Sequence, residues 1–140
     1  MSEHKKYDGD MATVFSKIIA GEIPCYKVGE NEHAFAFLDI SPIAKGHTLV
    51  VPKREVDYIF DLSDEELGHL MAFAKQVSKA LIQVCPAPKI GMSVIGLEVP
   101  HAHIHLVPIH GVNDIDFRKE KLRLSEDEFK ALAAAIAEEL

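Results

Sequence analysis

The segment His101-Ala102-His103-Ile104-His105-Leu106-Val107-Pro108 sets three imidazoles at every second position of an otherwise apolar run. In a strand, that spacing sends all three from one face. Imidazole changes charge near neutral pH and acts as nucleophile, general acid or metal ligand according to its neighbours. Ile104, Leu106 and Val107 imply burial on at least one side, where adjacent rings without a shared task are hard to satisfy with hydrogen bonds. A neutral imidazole attacks phosphorus to give a labile phosphoramidate, which splits one difficult displacement into two easier ones. Clustering favours this chemistry, because repulsion between protonated rings keeps at least one of them neutral. Zinc is the competing reading, since two histidines at i and i+2 on a strand with a distant third can hold it.

The elements that position these rings come from a chain of 140 residues, enough for one domain with a single core. With 48% hydrophobic and 26% charged residues, the composition is that of a folding chain. A net charge of −7 argues against a footprint for polymeric DNA or RNA and leaves small nucleotides open, since these need a pocket and not a basic face. Cys25 and Cys85 lie far apart in sequence, so free thiols are expected and no disulfide framework or metal knuckle. No stretch approaches a membrane span and the amino terminus lacks the apolar segment of a secretory signal, which makes the cytoplasm the expected compartment.

Residues 1–12 are expected to form a flexible extension, with residues 13–140 as the single domain. Thr13 and Gly21 bracket a short helix over residues 14–20. Strands are expected at 25–29 and 34–38, joined through Glu30-Asn31-Glu32, and at 48–51, ended by Pro52. Ser63 and Glu66 offer a capping box for a long crossover helix carrying Leu67, Leu70, Met71, Ala74, Val77, Leu81 and Val84 at helical spacing. After Pro86 and Pro88 come a strand at 90–95 and the histidine strand, and Ser125 and Glu128 cap a helix over 125–140. The run from Asp116 to Arg123, rich in Arg118, Lys119, Lys121 and Arg123, reads as a solvated connector. Strands cluster and helices segregate, which predicts an α+β fold: a five-stranded antiparallel sheet covered by helices.

Residues His101, Ala102, His103, Ile104, His105, Leu106 and Val107 resemble, at every position, the motif of the histidine triad (HIT) family, His-φ-His-φ-His-φ-φ with φ apolar. The likeness continues upstream through residues 14–24, 35–42 and 46–53 and is nearest the Hint-type nucleotide-binding branch. It implies a HIT-like fold and hydrolysis of purine nucleoside monophosphoramidates through a nucleotidyl-histidine intermediate, with no cofactor. By this resemblance His103 is the nucleophile toward the α-phosphate and His105 polarises that phosphate. His101 completes the triad through hydrogen bonds to backbone and ring, and His47 is the fourth histidine beside the phosphate. Asp39 is assigned to the ribose hydroxyls, a fitting chemistry because a carboxylate accepts two hydrogen bonds from a diol. Val14, Phe15, Ile18, Phe37, Leu38, Ile40 and Leu49 correspond to the apolar walls around the purine base. Relatives pair as homodimers with sheets joined edge to edge, which would cover the strand near 90–95.

The chain departs from the family pattern at Gly96-Leu97-Glu98, where relatives usually carry Gly-Gln-Ser or Gly-Gln-Thr in contact with phosphate or leaving group. Leu97 removes a donor there, and Glu98 would repel an anion or meet a cationic leaving amine. Lys89-Ile90-Gly91-Met92-Ser93 has no counterpart to the relatives' asparagine, and Thr13 and Ser16 stand where some bacterial relatives hold zinc with a Cys-x-x-Cys pair, which counts against a structural metal. Three alternatives to the phosphoramidase reading follow: a dinucleoside polyphosphate hydrolase, a nucleotide-binding scaffold with little catalysis, and a histidine metal protein. His4, His33, His69 and His110 fall outside the motif and read as surface or helix-face residues.

Overall fold

The computed structural model describes residues 13–140, so the expected extension over 1–12 lies outside the described residues. Helix α1 (Val14–Ile19) starts where the Thr13 side chain accepts the Ser16 backbone N–H at 3.1 Å, and Gly21, at φ 81°, turns the chain away from its end. Both expected capping boxes form, Ser63 with Glu66 at α2 (Asp64–Val84) and Ser125 with Glu128 at α3 (Glu126–Glu139).

The strands β1 (Lys27–Glu30), β2 (Ala34–Leu38), β3 (Thr48–Pro52), β4 (Lys89–Ser93) and β5 (Ile104–Ile109) form one antiparallel sheet in the order β1-β2-β3-β5-β4. Strands β3 and β4 each run antiparallel to β5 and therefore parallel to each other, so their connection must cross the sheet, and α2 makes that crossing. The fold is α+β, as the sequence predicts.

Residue parity divides the sheet into two faces. Ala34, Ala36 and Leu38 of β2, Val50 of β3 and Ile104 and Leu106 of β5 join the buried faces of α2 and α3 in the main core. The residues of opposite parity, Phe35, Phe37, Leu49 and Val51, cluster with Phe15 of α1. Covering both faces makes β2 and β3 buried throughout, which is why they read as continuous apolar runs. His105 shares the α1 face: it pairs with Leu49 on β3 and Ser93 on β4, while Leu49 pairs with Phe37.

The expected strand through all three histidines is corrected. β5 starts at Ile104, so His105 alone of the three lies in the ladder, although the rings stay on the α1 side, with Phe15 meeting those of His101 and His103, and His103 meeting His105. Pairing with β3 runs only to Val50 opposite Ile104, since Pro52 has no N–H to offer and the Ala102 N–H instead bonds to the Val56 carbonyl at 2.7 Å. Elsewhere the boundaries shift slightly: β1 starts at Lys27 beside a bulge, β4 ends at Ser93, and a 3-10 turn over Ile59–Asp61 stands where no element is expected.

Gly46 places His47. It holds φ 94°, and a Cβ there would lie 2.8 Å from Cys85 Sγ and 2.9 Å from Leu81 Cδ1, so both backbone conformation and space require glycine. Replacing Gly46 with alanine is expected to lower the free energy of unfolding by about 1–3 kcal/mol. Urea denaturation checks this, and an unchanged midpoint would refute it.

Candidate active site

A cavity of about 420 Å³ opens on the α1 face of the sheet. Val14, Phe15 and Ile18 of α1 line one side, Phe37 and Leu49 the sheet floor, and Leu38, Asp39 and Ile40 the end of β2, with His47, Glu98, His103 and His105 around the rest. The structure brings these residues together at one cavity, with Ile40 mostly exposed at the rim. Two expected site residues are not part of the cavity lining. Leu97 is 89% exposed and does not line the cavity, and His101 sits behind the wall with its ring fully buried.

Hydrogen-bond partners assign the ring protons. His103 Nδ1 lies 2.8 Å from the carbonyl of His101, and a carbonyl only accepts, so Nδ1 carries the proton and Nε2 keeps its lone pair in the neutral ring. Phe15 meets the His103 ring edge-on at 5.0 Å between centroids. The second pair follows in sequence. His47 Nδ1 accepts the Ile43 N–H at 3.1 Å, so His47 Nε2 carries a proton and donates to His105 Nδ1 at 2.9 Å. His105 must then hold its own proton on Nε2. The site therefore sets a bare nitrogen of His103 beside an N–H of His105, with the two rings 4.9 Å apart.

The environment keeps the flanking rings neutral. Burial pushes His105 down to about 3, with the charges of His103 and His47 adding to the effect. Burial also lowers His47 against the pull of Asp39, and lowers His101 against the Pro52 carbonyl and Glu55. Asp39 Oδ2 stands 3.5 Å from His47 Nε2, while Oδ1 accepts the Ser41 N–H at 2.8 Å, so the carboxylate is both a turn residue and a member of the cavity wall.

The connector from Asp116 to Arg123 is exposed from Arg118 onward, as expected of a solvated run, but it also contributes to the cavity wall, where Phe117 and Lys121 line the site. Phe117 meets the His105 ring at 4.6 Å between centroids, and Lys121 Nζ donates to the carbonyls of Phe117 at 2.6 Å and Lys119 at 3.1 Å. The bond from Leu122 N–H to the Pro42 carbonyl, 2.9 Å, pins the segment over the site. Its one sequence signal is an aromatic residue isolated among charges.

Two groups bear on metal binding. Asp39, His47 and His105 offer ligand atoms within 4.8 Å of one another, but the two ring nitrogens are spent on each other in a hydrogen bond. Thr13 and Ser16 bring hydroxyls to 3.1 and 3.4 Å from His101 Nδ1, and hydroxyls are not the thiolate, imidazole or carboxylate donors zinc selects. This second cluster does not fit a zinc ion.

The HIT domain family model matches residues 20–112. Protein hit of Bacillus subtilis is 39% identical over 113 residues, which cover 72% of this chain and 73% of that protein. An adenosine 5'-monophosphoramidase of Saccharomyces cerevisiae is 39% identical over 100 residues, covering 71% of this chain and 63% of the yeast protein. Among solved structures, a Hit-like protein of Bartonella henselae matches with TM-score 0.80 and 28% identity, covering 92% of this chain and 96% of its own. A zinc-bound histidine triad family protein of Mycobacterium smegmatis matches with TM-score 0.75 and 29% identity over 93% of this chain and 96% of its own. The chain belongs to the HIT domain family.

The lowered histidines make stability depend on pH. Below the ordinary histidine value of 6.5 the unfolded chain takes up protons that folded His47, His101 and His105 refuse, so stability is full above that value and falls as pH drops towards about 3, where folded His105 titrates. Urea melts from neutral pH downward are expected to lose up to about 1.4 kcal/mol per pH unit for each such proton, with a shallower slope in His105→Gln. A flat profile down to pH about 4.5 would contradict the assignment.

Proposed function

We propose that this protein hydrolyses purine nucleoside monophosphoramidates at the P–N bond, with His103 as nucleophile. One observation carries the reading: the His101 carbonyl fixes the His103 proton on Nδ1 and leaves the lone pair on the opposite edge of a ring that lines the cavity. Attack by Nε2 on the α-phosphorus forms an N–P bond and breaks the bond to the amine, which leaves with one proton taken from solvent. Water then cleaves the N–P bond, releasing the nucleoside monophosphate, a proton and free His103.

The other residues have roles suited to their chemistry. His105 Nε2–H donates to a phosphate oxygen as charge grows, and His47 holds that ring in the donor form. Asp39 accepts from the ribose hydroxyls, and Val14, Phe15, Ile18, Phe37, Leu38, Ile40 and Leu49 take the base. The yeast relative named as an adenosine 5'-monophosphoramidase supports this substrate class. The cation of Lys121 favours a second reading, attack on dinucleoside polyphosphates, whose leaving group is anionic. Glu98 on the same wall weighs the other way, since it would attract a departing amine.

The reading includes a homodimer in the cytoplasm. Strand β4 is a sheet edge with Met92 half exposed, and apolar Val94 and Ile95 follow it into solvent, a surface that pairing with a second copy would cover. Among the described residues no helix is long and apolar enough to cross a membrane.

His103→Asn is expected to reduce turnover of adenosine phosphoramidate by at least about 10³-fold while leaving adenosine monophosphate binding intact. Intact-mass spectrometry after brief mixing should show a nucleotidyl adduct on the wild-type chain and none on the variant. Undiminished turnover by the variant would refute the nucleophile, and faster wild-type turnover of diadenosine polyphosphate would reverse the choice of substrate. Sedimentation at micromolar concentration should give a dimer mass.

A further inference from the structure

We infer that Glu55 is a positioning residue for the reaction, tying α1 to His101 and through it to the nucleophile. The inference rests on the proposed role of His103.

Glu55 Oε1 receives two bonds from the start of α1, the Thr13 backbone N–H at 3.1 Å and the Ser16 hydroxyl at 2.5 Å. The second bond orients the rest. With its proton directed at Glu55, Ser16 Oγ has none left for His101, 3.4 Å away, so the donor to His101 Nδ1 is the Thr13 hydroxyl at 3.1 Å. Thr13 Oγ1 is free to donate because it accepts from the Ser16 backbone N–H. The other His101 nitrogen, Nε2, donates to the Pro52 carbonyl at 2.8 Å. Every polar atom of this buried ring is thereby held, and its backbone carbonyl is presented to His103 Nδ1.

The same bonds fix the wall that substrate must meet. Thr13 caps, and Ser16 lies within, the helix that carries Val14, Phe15 and Ile18, and Phe15 contacts the rings of His101, His103 and Phe37 at 5.9, 5.0 and 5.5 Å between centroids. Without Glu55, Ser16 can turn its proton toward His101, Thr13 can turn away, and α1 loses its tie to the segment after β3. A slack ring at position 103 misaligns the in-line attack, where small displacements of reacting atoms carry large rate penalties.

The role requires acceptor lone pairs and not charge. Glutamine at position 55 keeps an oxygen for both donors, whereas alanine keeps none. The experiment is rapid mixing of the intact protein with adenosine phosphoramidate, following the nucleotidyl adduct by mass and the steady state in parallel. Circular dichroism and urea melts establish that each variant is folded at the assay temperature. Glu55→Ala and Ser16→Ala are each expected to slow adduct formation at saturating substrate by about tenfold or more, and Glu55→Gln to restore it to within about threefold of wild type. Folded Glu55→Ala that forms adduct at the wild-type rate would overturn the inference, as would Glu55→Gln as slow as alanine, which would make the charge and not the acceptor decisive. If Glu55→Ala does not fold, Ser16→Ala at the wild-type rate overturns it instead. A wild-type chain that forms no adduct defeats the proposed function, and this role with it, an outcome distinct from the others.

Discussion

The hydrogen bond from His103 Nδ1 to the carbonyl of His101 governs what the site can do, because a ring with both nitrogens free presents either tautomer and therefore either a nucleophile or a donor. At 2.8 Å the carbonyl removes that choice. The partner is two residues back along the same chain, so the constraint is available only where the backbone leaves the regular ladder. Had β5 extended to His101, that carbonyl would have pointed across to a neighbouring strand. The early end of the β3–β5 pairing, at Val50 opposite Ile104, is thus part of how the His103 ring is oriented.

Opposite logic applies on the other side of the cavity. The Ile43 N–H, His47, and His105 form a directed chain whose first donor is backbone and whose last proton faces the site. Neutral rings are needed for each link to keep one donor and one acceptor, and burial supplies neutrality by disfavouring the charged form. The energy that makes these histidines useful also makes the fold sensitive to acid, so stability and chemistry are coupled through the same desolvation.

The sheet makes both arrangements possible by dividing labour between its faces. One face buries aliphatic residues and alanine against α2 and α3 and supplies most of the cohesion. The other carries a smaller aromatic and aliphatic cluster under a six-residue helix, which leaves room for a cavity. So short a helix has little stability of its own, and its position depends on bonds at its ends. Those bonds run to Glu55 and His101, which places the cover of the cavity and the support of the His103 ring in one network.

Much of this was legible in residue order. Capping boxes at Ser63 and Ser125, the helical spacing of Leu70, Ala74, Val77 and Leu81, and the apolar runs of β2 and β3 are local signals, because caps and periodicity involve residues a few positions apart. The triad motif together with the blocks at 14–24, 35–42 and 46–53 spans most of the residues that line the cavity. What failed to show were pairings across long separations: Phe117 over His105, Thr13 and Ser16 on His101, and Glu55 between them. The strand assigned to all three histidines failed for the same reason, since alternation states which way side chains would face if a ladder exists, and only a partner strand decides where it ends. Sequence alone determined the reactive groups and the elements that carry them. Tertiary structure decided which nitrogen of each ring bears the proton, because that depends on the one donor or acceptor the fold brings within about 3 Å.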